Sequence, residues 1–294
     1  MNTIGVLEQL YQNVNKLFSK TIVYSLIGAR VCYSKKPLFE LLKEDYFQNE
    51  TSAKQFLKRL ANYKHYSVFS HSVAYISMPI ATIQKILATK FKAIYNSNYS
   101  NIIGLSLRHF LEDAATDEIR NALIDAIDID YNVLNNIMQK ENVYLIYYNG
   151  NYDGYAVFYI ENISRVATHQ LVRHTILNFS QKSQRYVLEQ PRNKDLQLEN
   201  KFYIPDKIRE NKYFYNKYIQ LIKELQLFYK EMIENGISAE DARYILPNAQ
   251  YSTIVVSGSL KQLYDFIAKR KNKDAQKEIR DIAIKMYELL ENKK

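Results

Sequence analysis

Apolar residues recur at spacings of three and four over several long stretches of the chain, which is the period of amphipathic helices. The stretches that predict helices are 51–63, 82–95, 118–140, 165–177, 206–235, 259–269 and 274–292. Shorter runs rich in Val, Ile and Tyr predict strands at 71–78, 143–148, 155–160 and 251–257, and the polar stretch 178–185 predicts a loop. Together these elements predict an α+β fold, a small mixed sheet surrounded by long helices.

Composition and charge narrow the classes of protein that fit this pattern. The 294 residues include 40 Lys and Arg against 31 Asp and Glu, a net charge of +9, which favours anionic partners. The seven glycines form neither the dinucleotide-binding nor the P-loop motif, and a single cysteine excludes a disulfide framework. We find neither a long apolar run nor a signal peptide in the sequence, and we therefore expect a cytoplasmic protein.

The segment 170–186 holds the densest group of potential anion-binding side chains. If 165–177 is helical, Gln170 and Arg173 share one face at i, i+3, and Gln170 and His174 share a face at i, i+4. The loop beyond adds hydroxyl groups and Arg185, and hydroxyls with a fork-shaped guanidinium are suited to phosphate. The alternative is a solvated helix end with cations near the negative pole of its dipole, and spacing alone does not separate the two.

The residue identities resemble the signature of flavin-dependent thymidylate synthases, Arg-His-Arg followed at fixed spacing by Ser and then Arg-Tyr. Here the signature stands as Arg173-His174-Thr175, Ser183 and Arg185-Tyr186. Four further blocks resemble the family in the same order: 28–34 (GARVCYS), 65–71 (HYSVFSH), 242–247 (ARYILP) and the closing helix 266–280. They leave 79–154 without a counterpart, which predicts one domain over 1–294 with a mostly helical insertion at 79–154.

The resemblance implies an enzyme that methylates dUMP to dTMP. It implies methylenetetrahydrofolate as carbon donor, FAD reduced by NADPH, and a homotetramer with shared active sites. The residues themselves show no long apolar run, no metal-ligand spacing and no aromatic strand for stacking bases, so a membrane, a metal and a nucleic acid are not expected. By the same resemblance, Arg270 lies against the uracil ring as the catalytic residue. The residues implied for dUMP are Gln170, Arg173, Gln181, Lys182, Ser183, Gln184, Arg185 and Arg243. Those implied for FAD are Ser67, Arg173, His174, Thr175, Ser259, Lys261 and Asp265.

Several positions depart from the family pattern. Thr175 stands where the family has Arg, Ser259-Leu260-Lys261 where it has Asn-Ala-Arg, and Asp265 where it has Asn or His. Ser70 stands where a Glu is common. These departures leave open a catalytically altered or inactive member that binds nucleotides, and the basic charge leaves open a nucleic-acid-binding protein.

The remaining reactive residues have simpler interpretations. Cys32 lacks the context of a nucleophile and is interpreted as a small buried apolar residue. His65 and His71 have no acidic or thiol partner at a matching spacing, so the sequence does not predict a metal site. Arg108-His109 repeats the Arg-His pair of the signature, either by chance or as a second edge of the same pocket.

Overall fold

A computed structural model describes residues 7–88, 93–95, 101–189 and 200–293. Its α-helices are α1 Val14–Phe18, α2 Ile22–Tyr33, α3 Leu38–Leu41, α4 Glu50–Asn62, α5 Ile80–Leu87, α6 Leu107–Asp113, α7 Asp117–Asp125, α8 Arg165–Leu171, α9 Asp206–Arg209, α10 Lys212–Glu234, α11 Ala239–Ala242, α12 Leu260–Arg270 and α13 Lys277–Glu291. Short 3₁₀ helices cover Glu8–Asn13, Asp45–Phe47, Tyr66–His71, Tyr131–Asn136 and Arg243–Ile245. The strands are β1 Val73–Ser77, β2 Ile94–Tyr95, β3 Ile102–Ser106, β4 Met138–Lys140, β5 Val143–Asn149, β6 Tyr155–Ser164, β7 Asn178–Gln181 and β8 Tyr251–Ser259.

The strands form two antiparallel sheets. The larger has the order β4-β5-β6-β8-β7, and the smaller has the order β1-β3-β2. The long pair β6–β8 runs in register from Tyr155 opposite Ser259 to Ser164 opposite Tyr251, with a bulge after Ile160. The predicted α+β class is confirmed, but every strand pairing among the described residues is antiparallel rather than mixed.

The five-stranded sheet separates two hydrophobic cores, because successive residues of a strand point to opposite faces. On β6, Ala156, Phe158 and Ile160 pack in one core with α8, α12 and α13. Tyr155, Val157 and Tyr159 pack in the other, which contains α2, α4, α6 and the smaller sheet. We call these the carboxy-terminal core and the amino-terminal core.

The described residues of the segment 79–154 are not mostly helical, which corrects the prediction. It contains α5, α6, α7 and a 3₁₀ turn, but it also supplies β2, β3, β4 and β5. The predicted helix 118–140 ends at Asp125, and its last residues form β4 against β5. The predicted helix 82–95 ends at Leu87, with 89–92 outside the described residues. Short apolar runs have no decisive period, so strand pairing with distant residues determined their conformation.

The signature segment also differs from its prediction. The helix expected over 165–177 ends at Leu171, and the expected loop 178–185 begins with β7. Asn178 to Gln181 pair with Ser257 to Ile254 of β8, which places them at the edge of the larger sheet. Residues 172–177 form turns instead of the predicted last helical turns, and they connect α8 to the strand that pairs with β8.

No helix in the described ranges is both long enough and apolar enough to cross a membrane.

Candidate functional site

The amino end of helix α8 is tied to the last helix of the chain. The hydroxyl of Ser164, its N-cap, accepts the N–H of Ala167 at 3.1 Å. The Ser164 N–H and hydroxyl in turn donate to the buried carboxyl of Glu278 on α13, the N–H at 2.6 Å. Burial raises the pKa of Glu278. These bonds fix the start of α8 against α13.

The other end of α8 is closed by Arg270, the last residue of α12. One terminal nitrogen of Arg270 donates to the carbonyl oxygen of Gln170 at 3.2 Å, and its Nε donates to His174 Nε2 at 3.1 Å. The last carbonyls of a helix have no intrahelical partner and favour a nearby cation. Arg270 from the closing helix therefore meets Gln170 and His174 from the signature segment, about a hundred residues earlier in the chain.

His174 holds the Arg270 guanidinium as a neutral acceptor. Because Nε2 accepts a hydrogen bond, the ring proton of the neutral form lies on Nδ1. Burial and the charges of Arg270 and Lys269 lower the pKa of His174. The ring of Phe266 meets it edge-on, with centroids 4.9 Å apart. The two Arg270 bonds use two of its five N–H donors and fix the plane of the guanidinium.

The two other signature residues near this point are exposed. Arg173 and Thr175 lie in the turn between α8 and β7, and Gln170 is half-buried, with its amide bonded to Gln276. The carboxy end of α8 therefore presents Gln170, Arg173 and Arg270 together.

The stretch 181–185 packs beside the other end of the helix. The amide of Gln181 donates to Thr168 of α8 at 3.0 Å, and that of Gln184 donates to Gln250 at 3.4 Å. Lys182, predicted for dUMP, is buried, and its ammonium lies 2.9 Å from the carboxylate of Glu189. An internal carboxylate thus balances the Lys182 charge.

Arg185 and Arg243 are brought together by one residue of α11. Arg185 forms an exposed ion pair with the Glu240 carboxylate at 3.0 Å, and Arg243 Nε donates to the Glu240 carbonyl at 3.2 Å. Ser183 accepts the N–H of Arg185 at 3.2 Å. Burial, with the nearby Arg243 charge, lowers the pKa of Arg165, the first residue of α8. This group therefore lies near the amino end of α8.

The residues implied for dUMP thus form two groups within one chain. Gln170 and Arg173 lie at the carboxy end of α8, whereas Lys182, Arg185 and Arg243 surround its amino end. A seven-residue helix is roughly 10 Å long, at 1.5 Å per residue, and it separates the groups.

The residues implied for FAD come from three elements. Ser67 is exposed on the 3₁₀ helix Tyr66–His71. Ser259 is buried as the N-cap of α12, where its hydroxyl accepts the N–H of Gln262 at 3.2 Å. Lys261 is exposed on the first turn of α12, and Asp265 forms an exposed ion pair with Lys269 at 2.7 Å.

A cavity of about 270 Å³ lies among neighbours of these residues. Its lining includes Ile176 and Gln262, which directly follow the predicted FAD contacts Thr175 and Lys261 in sequence, together with Ser70, Asn178 and Tyr155. The facing residues come from the segment without a family counterpart: Ile94, Gly104, Ser106, Arg108 and His109, next to Val73. The sequence analysis singled out the Arg108-His109 pair, and the structure places both residues in the lining of this cavity.

A buried network of polar side chains adjoins the cavity through Tyr155, which lines it. His71 Nδ1 lies 2.7 Å from the Ser257 hydroxyl, and its Nε2 lies 2.9 Å from the Ser180 hydroxyl. Ser257 also contacts the hydroxyl of Tyr155 at 2.7 Å. Burial lowers the pKa of His71 to about 3, so the ring is neutral near pH 7. A Cβ at position 28 would lie 2.5 Å from the His71 ring, which explains Gly28 at this close approach.

The structure also locates the residues with simpler interpretations. His65 is exposed while both ring nitrogens of His71 are bonded to serines, so the two histidines do not act as a pair. Cys32 is half-buried, its Sγ lies 3.5 Å from the Gly28 carbonyl, and burial raises the pKa of its thiol to about 11. A thiol that stays protonated is a poor nucleophile, in agreement with the interpretation of Cys32 as an apolar residue.

Residues 154–293 match the model of the thymidylate synthase complementing protein family. Over 131 residues, 45% of this chain, the sequence is 44% identical to the flavin-dependent thymidylate synthase of Pyrococcus abyssi, of which it covers 52%. The same enzyme of Saccharolobus solfataricus is 41% identical over 132 residues, 45% of this chain and 47% of that protein.

A solved flavin-dependent thymidylate synthase from Helicobacter pylori, complexed with FAD and dUMP, is 25% identical. The match has a TM-score of 0.39 and covers 46% of this chain and 67% of that one. The chain spans about half the length of the curated relatives it matches. The blocks at 28–34 and 65–71 lie outside the matched residues. The predicted resemblance to the flavin-dependent thymidylate synthases is therefore confirmed for residues 154–293.

Proposed function

We propose that the protein is a flavin-dependent thymidylate synthase, which methylates dUMP to dTMP with methylenetetrahydrofolate as carbon donor and FAD reduced by NADPH. The observation that carries the proposal is the contact of Arg270 with both Gln170 and His174 within the matched residues. A cytoplasmic location stays a prediction from the sequence.

Arg270 is the residue we propose to act on the pyrimidine. A guanidinium is always charged, so it stabilises a developing uracil anion without exchanging a proton. Its bonds to Gln170 and His174 orient the group before the substrate arrives, and preorganised donors cost no reorganisation in the transition state. The neutral state of His174 matters, because a protonated ring could not accept the Arg270 N–H.

The donors around the cavity fit a flavin dinucleotide. Asn178 and Gln262 bring amide groups and Arg108 brings a cation, and pockets for cofactors combine apolar walls with a few such polar groups. Ser67, Arg173, His174, Thr175, Ser259, Lys261 and Asp265 are the residues we propose to hold FAD. At these residues the reduced cofactor would supply the reducing equivalents that convert the transferred methylene group into a methyl group.

We propose a homotetramer with active sites shared between subunits. Two observations support it. The dUMP residues of one chain lie at opposite ends of α8, so two chains together can complete a site that uses both groups. In addition, α10 exposes Phe214, Leu221 and Phe228, spaced seven residues apart on one side of the helix. Large apolar patches of this kind mark interaction surfaces.

The first experiment is the visible spectrum of the purified protein, followed by titration with FAD. We expect the absorption of oxidised flavin and uptake of FAD by any cofactor-free fraction. The second is dTMP formation from dUMP by protein stripped of its flavin, with methylenetetrahydrofolate, NADPH or added FAD omitted in turn, and each omission should stop the reaction. A protein that takes up neither FAD nor dUMP contradicts the proposal. One that binds both without forming dTMP is the catalytically altered member instead.

A further inference from the structure

The cavity is built by two parts of the chain with different sequence relationships. Ile176, Asn178 and Gln262 belong to residues 154–293, which match the family model, whereas Ser106, Arg108 and His109 lie outside that match. A ligand in this cavity would therefore contact side chains that lie outside residues 154–293, the part of the chain that matches the family model.

Arg108 is the cation among these side chains. It lies on the first turn of α6, its side chain is 39% exposed, and its Nε donates to Glu112 one turn further along at 2.8 Å. The Glu112 side chain is only 14% exposed, so Arg108 is the more accessible member of the pair.

His109 beside it is a neutral donor. Its Nδ1 accepts the backbone N–H of Ser106 at 3.0 Å, so the ring proton lies on Nε2. Burial lowers the pKa of His109 to about 4, which keeps the ring uncharged near pH 7. The guanidinium of Arg108 is therefore the charged group on this wall, beside the neutral ring of His109.

The opposite wall adjoins the position where the family signature loses a cation. Ile176 directly follows Thr175, which stands in place of Arg, and Gln262 directly follows Lys261. A threonine hydroxyl cannot balance the charge of a phosphate, whereas a guanidinium can, through two parallel hydrogen bonds. At about 270 Å³ the cavity takes part of a dinucleotide, since whole-ligand pockets are about 300–1,000 Å³.

We propose that Arg108 binds the phosphate groups of the nucleotide ligand held in this cavity, and so supplies from the amino-terminal half the cation that Thr175 does not. The ligand is the diphosphate of FAD insofar as the proposed function holds. Glu112 opposes this binding, because its carboxylate competes with phosphate for the same guanidinium.

The test compares Arg108→Gln with Glu112→Gln by FAD titration, followed through flavin fluorescence. Both variants break the Arg108–Glu112 pair, but only Arg108→Gln removes the cation. We expect Arg108→Gln to weaken FAD at least tenfold and Glu112→Gln to leave FAD affinity unchanged or increased. The exposed Arg59→Gln, on α4, is the control for loss of one positive charge. Thr175→Arg in the Arg108→Gln protein should recover most of the affinity.

Riboflavin, which lacks phosphate, identifies the part of the ligand involved. Arg108→Gln should bind riboflavin as well as the wild-type protein does. Equal losses for riboflavin and FAD, equal effects of Arg108→Gln and Glu112→Gln, or an Arg108→Gln protein within twofold of wild type would each overturn the proposal.

A wild-type protein that takes up no flavin refutes the proposed function, and pyrophosphate then decides the role of Arg108. Thermal protection of the wild-type protein by pyrophosphate, lost in Arg108→Gln and retained in Arg59→Gln, supports the phosphate site. Absence of protection, or equal protection of all three proteins, refutes it.

Discussion

The two cores on either face of the larger sheet differ in what they contribute. The carboxy-terminal core packs α8, α12 and α13 and places Arg270, Gln170 and His174 together within the family-matched residues. The amino-terminal core lies almost wholly outside the match, yet it supplies α6 and one wall of the cavity. The face with the carboxy-terminal core therefore holds the signature residues, and the face with the amino-terminal core supplies part of the cavity lining.

The comparison shows that residues 154–293, which match the family model, depend on the rest of the chain for strand pairing and for burial of their side chains. The family match begins at residue 154, just before β6, so it excludes β5. Strand β5 pairs with β6 along nearly the whole of β5. Tyr155 and Tyr159 of β6 point into the amino-terminal core and are buried only because that core is present. Each of the following variants separates the two faces.

The largest effect is expected from removing one aromatic ring from each core. Phe266→Ala and Phe47→Ala each delete a buried ring and should lower the free energy of unfolding by about 3–5 kcal/mol. Only Phe266 contacts His174, so only Phe266→Ala should also reduce turnover at a temperature where both variants stay folded. Denaturant titration and dTMP formation measure the two effects. Equal turnover losses would show that the two cores do not divide as described.

The next effect concerns the chemical step. Arg270→Ala should reduce dUMP-dependent turnover about 100-fold or more, by analogy with loss of one oxyanion-hole donor, while flavin binding is retained. Arg270→Lys should recover only part of the rate, because an ammonium lacks the planar fork. The neighbouring exposed Lys269→Ala is the matched control. If both alanine variants turn over within a few-fold of wild type, Arg270 serves only to close α8.

A third effect is the acid sensitivity of the amino-terminal face. The folded pKa of His71, about 3, lies below the ordinary value of about 6.5, so between these pH values the unfolded chain binds more protons. Stability should therefore fall as pH drops below about 6.5, by about 1.4 kcal/mol per pH unit from this group.

His109, with a pKa of about 4, adds a similar slope down to that pH. His71→Gln should remove about half of the combined slope in urea titrations at pH 4.5–6.5, whereas exposed His65→Gln should not change it. An unchanged slope in His71→Gln would mean that other groups cause the acid sensitivity.

The smallest effect on the stability of the fold is expected from substitutions on α10. They should nevertheless change the number of subunits that assemble. Leu221→Glu places a charge in the exposed apolar stripe with Phe214 and Phe228 and should yield smaller particles by light scattering. Asn216→Glu adds the same charge to another exposed side of α10 and should leave the particle size unchanged. If both variants assemble like wild type, the stripe is not an interface.

Local sequence predicted much of the fold. Helices α4, α12 and α13 and strands β5 and β6 lie close to their predicted positions, because their hydrophobic patterns are carried by neighbouring residues. The family resemblance was likewise carried by residue identities at fixed spacing in 170–186. The roles of the predicted dUMP and FAD residues stay predictions.

Tertiary structure decided where the helical pattern of the signature stops. The apolar period continues past Leu171, but β8 offers backbone hydrogen bonds to Asn178–Gln181, and this pairing draws the chain out of the helix. His174 consequently reaches Arg270, almost a hundred residues away in sequence, through a turn rather than a helix face.

The sequence alone determined the local elements and the identity of the signature, because both are written in neighbouring residues. It did not determine that Arg108 and Asn178 line one cavity, that Lys182 is neutralised by Glu189, or that the residues predicted for dUMP divide between the two ends of α8. Those facts depend on contacts between segments distant in the chain, and such contacts are set by packing two cores on one sheet.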